Sequence, residues 1–284
     1  MKILVTGSSG FVAQHLVNRL VDEGHFVYAL QRSAAISSVK NVHVIAADLS
    51  KDDFIQQLSS EIEVVYHLAQ SKQYRSFPEG ANDMFNVNIK STQLLLEWAR
   101  LNGIKKFFYA STGNVYEPSD KMLSIDDKLN ANSYYAASKL SAEQLVKQYA
   151  SFFEVFIGRI FTVFGKGQEN MLIPNIINSV KERKEIRLNG GDGLWMTPIH
   201  VHNICDLLIG FLSNKNIENP LTTNISGVEK VSLKQVVEKI GQTLSIAPNI
   251  IENEGIAGSL CGLNYNPFNL NIQYKSILDT SNYI

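Results

Sequence analysis

Apolar residues along the chain fall into short blocks separated by longer stretches with helical spacing. KILVT at Lys2–Thr6 is an apolar strand, Phe11, Leu16, Val17 and Leu20 recur at helical intervals over residues 10–23, and FVYALQ at Phe26–Gln31 is a second strand after the stop at Gly24. The alternation continues with strands at Val42–Ala46, Val64–His67, residues 105–111 and Glu154–Ile160, separated by helical segments of the length a crossover requires. A parallel, doubly wound α/β sheet is predicted. Beyond Gly165 the pattern loosens into a helix over residues 173–183, short strands around Ile186 and Ile199, and helices over residues 203–212 and Leu233–Leu244. Residues 1–165, with contributions from about 199–226, read as the sheet domain, and residues 166–284 read mainly as a smaller α/β lobe. The prolines avoid the expected strand interiors except Pro198, which adjoins a short one, and the chain from Gly255 onward reads as loop.

The first strand meets the first helix in TGSSGFVAQHL. A strand that turns sharply into a helix needs a residue without Cβ at the turn, Gly7, and a second where a phosphate reaches the backbone, Gly10; Ala13 then lets the helix pack closely on the sheet. The amides at the helix start, from Ser9 and Gly10 through Phe11 and Val12, together with the positive helix end, form a site for a dinucleotide pyrophosphate. This points to a Rossmann domain binding NAD or NADP, with the C-terminal lobe binding substrate. An acid at the end of the second strand would bind a ribose 2′-hydroxyl, but that end reads YALQRS, so Gln31 and Arg32 favour NADP, with NAD as the alternative. Asp48 and Leu49 of AADLS, after the third strand, are candidates for the adenine edge.

Charge narrows the partners. Lys and Arg number 26 against 27 Asp and Glu, and neither end carries a basic block, so the counterion release that draws proteins onto nucleic acid lacks a source. A small-molecule substrate is expected instead. The start is broken at once by turn residues and no later apolar run reaches spanning length, so neither a signal peptide nor a membrane span is read, and a cytoplasmic protein is expected. Cys205 and Cys261 lack any zinc or redox spacing and read as reduced structural residues. His200 and His202 of IHVH would share a face if extended, but no carboxylate or cysteine accompanies them, so no metal is expected.

With TGSSGFVA, ADLS, VYHLAQ, NIKSTQLLLEWAR, FFYASTGNVY, YYAASK and GRIFTVFGKGQ in this order, the chain resembles the extended short-chain dehydrogenase/reductases, the group of nucleotide-sugar epimerases, dehydratases and reductases. The resemblance runs from residue 1 to about residue 245. Tyr135 and Lys139 match its YxxxK pair, and residues four apart on a helix share one face. A phenol gives up its proton near neutral pH only beside a cation that stabilises the phenolate, a role that falls to Lys139. By resemblance Lys139 also holds the nicotinamide ribose, Thr112 bonds the reacting oxygen, Asn88 faces the active-site backbone, and Leu68 and Ala69 pack near ribose and nicotinamide. Tyr134 reads as a packing or substrate-facing aromatic and His67 as a satisfied core histidine. Expected substrate contacts are Thr112, Tyr135, Thr162, Met171, Leu172 and Met196. The resemblance also implies a homodimer through the helices containing residues 80–102 and 133–151.

Departures from the family pattern refine the chemistry. Gly113 and Asn114 stand where the dehydratases carry Asp-Glu, and neither exchanges a proton at neutral pH, so a 4,6-dehydratase is not expected. Met196 replaces the arginine with which the epimerases grip the substrate diphosphate, and Thr162 replaces the asparagine of their RxFNxxG run. Lys166, Arg183 or Arg187 would then hold the diphosphate, or the substrate lacks one. The chain stops soon after residue 270, earlier than the family's usual closing helices, so a pocket that is more open or completed by a partner chain is expected. The first reading is an NADP-dependent reductase of a nucleotide-linked 4-keto-6-deoxysugar with Tyr135 as proton donor. The alternatives are a nucleotide-sugar 4-epimerase with retained NAD, a reductase of small carbonyl compounds, and a non-catalytic NAD(P)-sensing protein.

Overall fold

A computed structural model describes residues 1–33, 39–214 and 217–284. Seven strands form one parallel sheet: β1 (Lys2–Thr6), β2 (Phe26–Gln31), β3 (Val42–Ala46), β4 (Val64–His67), β5 (Lys106–Thr112), β6 (Glu154–Ile160) and a late addition at Leu221–Ile225. Their spatial order runs from the late strand through β6, β5, β4, β1 and β2 to β3, a Rossmann topology whose direction reverses between β1 and β4. The central strands β4 and β5 are buried throughout because both faces are covered, whereas β3 at the edge is only partly buried. Successive side chains divide between two cores: Ile3, Val5, Phe108 and Phe156 pack with α1 (Phe11–Asp22) on one face, and Leu4, Phe107, Tyr109 and Ile157 pack on the other.

The second face is covered by α2, which runs over residues 81–101, and α3 (Tyr134–Gln148). Within α2, Phe85–Lys90 form a π-helical turn that periodicity did not reveal. Such a turn displaces backbone partners, and hydroxyls one turn on take up the freed carbonyls: Ser91 Oγ donates to Val87 O at 2.7 Å and Thr92 Oγ1 to Asn88 O at 2.8 Å. The lobe contains α4 (Leu172–Lys181) and α6 (Leu233–Leu244), the latter closed by a Ser232–Gln235 capping box, and between them in sequence α5 (Val201–Ser213) returns to pack on α1. The C-terminal segment is less loop-like than expected. Gly258–Leu260 pairs with Leu194–Met196 of the lobe, Phe268, Leu270, Ile272 and Tyr274 then pack back against the sheet domain, and Ile277 and Tyr283 rejoin the lobe core. Among the described residues no helix is long and apolar enough to cross a membrane.

His67, at the end of β4 and opposite Thr6 of β1, is buried as the sequence implied. Thr92 spends its proton on Asn88 O, so it accepts from His67 Nε2 at 2.9 Å, and His67 Nδ1 then accepts from Thr6 Oγ1 at 2.7 Å. Thr6 Oγ1 in turn accepts from Ala69 N at 3.2 Å. Every site in this chain is used by a neutral imidazole, and burial, with Lys139 nearby, pushes His67 down to about 3.

Because the folded pKa lies below the ordinary 6.5, this stabilisation is complete above pH 6.5 and is lost as pH falls toward 3, at about 1.4 kcal/mol per unit. Urea unfolding should show stability declining from pH 6.5 to 5, above the range where most carboxylates titrate. His67→Gln, which can donate and accept but not titrate, should reduce that slope and leave the share of His200, which burial pushes down to about 4; an unchanged slope would assign the decline to other groups.

Candidate active site

The C-terminal ends of β1 and β4 meet at the switch point, and the turns that follow them touch. Gly7 has φ +66°, and a Cβ there would lie 2.8 Å from Ala69 Cα, so its lack of a side chain is required both by the backbone and by the neighbouring turn. Gly10 is the N-cap of α1, with no side-chain cap and no acid in the first turn. The first intrahelical donor is Gln14 N, to Gly10 O at 2.9 Å, and Gly10 N is spent on Gly7 O at 2.8 Å, so it is the amides of Phe11, Val12 and Ala13, rather than that of Gly10, that are left for an anion. Above them lies a cleft of about 390 Å³ lined by Gly7, Ser9, Gly10, Gln31, Arg32, Asp48, Leu49, Leu68 and Ala69 from the expected set. Leu30, Ala47, Gln70, Ser71, Lys72, Tyr74, Asp83 and Val87 complete it, none of them foreseen. Phe11 and Val12 do not line it with their side chains: the Phe11 ring packs edge-on to His15, and Val12 packs against the sheet core.

At the β2 end, Gln31 accepts from Ser8 Oγ at 3.1 Å and donates to Ser33 O at 3.0 Å, so its amide is held in place. Arg32 is exposed on the cleft wall beside Asp48. The Asp48 carboxyl is held below its usual range mainly by the Ser50 amide at 2.9 Å, with the Arg32 charge contributing. A glycine cradle with open amides and apolar walls from Leu30 and Leu49 fits a dinucleotide.

Helix α3 begins at a cap, Ser133 Oγ accepting from Ala136 N at 3.2 Å, which brings Tyr135 to the cleft and buries Lys139 one turn on. The Tyr135 hydroxyl donates to Gln70 Oε1 at 2.9 Å, and its ring meets that of Tyr74 at 5.5 Å. Burial pushes the phenol up to about 12, with hydrogen bonding to Thr112 pulling it back. Lys139 lies 4.7 Å above the Tyr109 ring and is pushed down to about 7 by burial, with the Glu143 carboxylate opposing. Burial is the largest influence on both groups, and Lys139 is not among the groups that shift the phenol. Glu143 is itself gripped by Arg159 through Nε at 3.1 Å and Nη2 at 2.8 Å, and by Ser111 Oγ. Thr112 Oγ1 accepts from Asn114 N at 3.2 Å and caps the short turn Gly113–Val115.

Asn88, on the π turn, has both ends of its amide engaged: Oδ1 accepts from Ser71 N at 2.9 Å and Nδ2 donates to Ser138 Oγ at 2.9 Å. It ties the turn after β4 to the helix that carries Tyr135 and Lys139.

Other expected contacts disperse. Met196 is fully buried in the lobe core, where Val231 and Leu260 pair with it in the sheet, so it does not face the cleft. Met171 is exposed, and its Sδ accepts from the Tyr74 hydroxyl at 3.8 Å. Leu172 packs half-buried against the lobe core, and Thr162 gives its carbonyl to Ile199 N at 2.8 Å. Arg187 pairs with Glu185 at 3.2 Å, and Arg183 follows α4 on the lobe surface, while Lys166 is exposed in the turn after Gly165. His200 caps α5, and its ring meets His202 edge-on; among the described residues no cluster of His, Cys, Asp or Glu could hold a metal. Tyr134 stacks on exposed Phe77. Cys205 and Cys261 are free and buried. A Cβ on Gly113 would lie 2.7 Å from the Phe161 ring, so a carboxylate there would have to displace that ring.

A model of the NAD dependent epimerase/dehydratase family matches residues 3–226. The chain is 29% identical to the uncharacterized UDP-glucose epimerase YtcB of Bacillus subtilis, over 91% of this chain and 87% of that one. It is 28% identical to a probable UDP-glucuronate 4-epimerase of Rhizobium meliloti, over 67% of this chain and 62% of that one. Among solved structures, MoeE5 in complex with UDP-glucuronic acid and NAD superimposes with a TM-score of 0.80 at 27% identity, over 92% of this chain and 89% of that one.

Gly7→Ala should cost about 1–2 kcal/mol from the left-handed backbone alone, with more from the Ala69 contact. Gly10→Ala, at φ −77° and with 3.0 Å to Gly7 O, should cost less. Chemical denaturation of the two variants checks the order, and equal losses would contradict it.

Proposed function

The chain belongs to the NAD dependent epimerase/dehydratase family, and from that premise we propose that it is a nucleotide-sugar epimerase working at a sugar hydroxyl carbon, with NAD retained through the cycle. The observation that carries this reading is Tyr135 set against Gln70 and Tyr74 of the cleft wall, with Thr112 beside its hydroxyl and Lys139 one turn along the same helix, and no acid or base after Thr112, where Gly113 is crowded by Phe161. Redox at one carbon needs only that trio, whereas loss of water needs a further proton donor and acceptor. The UDP-sugar epimerases among its relatives support this over the reductase favoured by sequence motifs.

Bound NAD would supply a nicotinamide able to take a hydride and return it. The protein's part is then proton transfer and placement. Tyr135 exchanges a proton with the reacting oxygen, Thr112 orients that oxygen, and Lys139 holds the nicotinamide ribose. Asn88 acts as a positioning residue through Ser71 and Ser138, without touching the reacting atoms. The homodimer belongs to the same reading, through the outer surface of α2 and α3, where Phe85 and Leu101 are exposed.

One observation favours the second reading, an NADP-dependent 4-ketosugar reductase: the β2 end carries Arg32 on the cleft wall and no carboxylate. Incubation with UDP-glucose or UDP-glucuronic acid should yield a C4 isomer with no net cofactor oxidation. Stoichiometric NADPH oxidation by a 4-ketosugar would overturn the epimerase reading. Tyr135→Phe should lose at least about a hundredfold in turnover while still binding cofactor. Arg32→Ala should leave NAD affinity within about threefold if NAD is the natural cofactor, whereas a selective loss of NADP would favour the reductase.

A further inference from the structure

Gln70 was not among the residues expected in the site, yet its Oε1 accepts from the Tyr135 hydroxyl at 2.9 Å, and it also lines the cleft. Its backbone is clamped on both sides: Ala69 N donates to Thr6 Oγ1 at 3.2 Å, and Ser71 N donates to Asn88 Oδ1 at 2.9 Å. A residue fixed this firmly at the end of β4 presents its amide at a defined place. The far side of Tyr135 is bounded by Thr112 and the Tyr74 ring.

We propose that Gln70 is a positioning residue for proton transfer, keeping the Tyr135 oxygen aimed at the reacting oxygen in both of its protonation states. A carboxamide is suited to this because its carbonyl accepts from the phenol, as observed, and after rotation of the amide its NH₂ donates to the phenolate. The proton itself moves only between Tyr135 and the reacting oxygen, so Gln70 neither gains nor loses one. This rests on the reading of Tyr135 as the acid–base group.

The chemistry separates this role from mere packing. Gln70→Ala removes both partners and should lower kcat about tenfold, the equivalent of one hydrogen bond, with KM within about twofold. Gln70→Glu keeps the shape but cannot donate to a phenolate and adds a like charge, so it should be more damaging than alanine and should move the acidic limb of the kcat–pH profile upward. A packing role would reverse that order, with the isosteric glutamate tolerated, and would overturn the proposal. An activity-independent measurement uses Gln70→Lys, whose ammonium should bring phenolate absorbance to lower pH by about one unit or more, an effect absent in Gln70→Lys/Tyr135→Phe. Identical titrations of Gln70→Lys with and without Tyr135 would remove the contact on which the proposal stands. Full activity in Tyr135→Phe would instead defeat the underlying assignment of Tyr135, so the two failures are distinguishable.

Discussion

The structure depends on how closely β1 and β4 approach at their ends. Parallel neighbours in register, Thr6 opposite His67, place Gly7 against Ala69 with no room for a Cβ. That contact joins the turn before α1 to the turn facing α3. A line of hydrogen bonds continues from it, through Thr6, His67 and Thr92 to Asn88, and from Asn88 to Ser71 and Ser138. Each member has one available direction because its neighbour has already used its proton, so the line specifies a neutral histidine and a single arrangement. Buried polar chains of this kind are costly when broken and rigid when complete. The cleft and the Tyr135 helix are thereby held as one unit.

Below that line the electrostatics are layered. Lys139 is buried far enough to weaken its hold on a proton, and Glu143 one turn along α3 works against that loss. Arg159 reaches Glu143 from β6 with two bonds and Ser111 adds a third. Arg159 extends the network through Tyr116 at 2.9 Å to Asn224 at 2.7 Å, on the last strand of the sheet. A buried ion pair contributes little net stability by itself, so its value here lies in fixing the strand to the helix that carries Lys139.

What could be read from sequence was what local rules govern. Gly7 and Gly10 follow from the geometry of a strand turning into a helix, and the central strands follow from apolar runs that only a sheet covered on both sides allows. The Thr112, Tyr135 and Lys139 trio came from motif order. Features made by contact between distant segments were not legible: Gln70 meets Tyr135 across 65 positions, Phe161 fills the space beside Gly113, and the C-terminal segment crosses back to the sheet domain. Met196 shows the same limit in reverse. Its place beside IHV suggested a substrate contact, but pairing with Val231 and Leu260 turns it into the lobe core.

The same distinction explains why cofactor and reaction type pulled apart in the reading of motifs. Arg32 is a local signal for a phosphate on the ribose, but it stands exposed beside Asp48, whose carboxylate already draws on its charge. A 2′-phosphate brought to Arg32 would also bring its charge near the Asp48 carboxylate, which opposes part of the attraction. The balance at that wall is therefore set by the pair rather than by either residue. It is that pair, and not the missing carboxylate at the β2 end alone, that a ribose hydroxyl or phosphate would meet there.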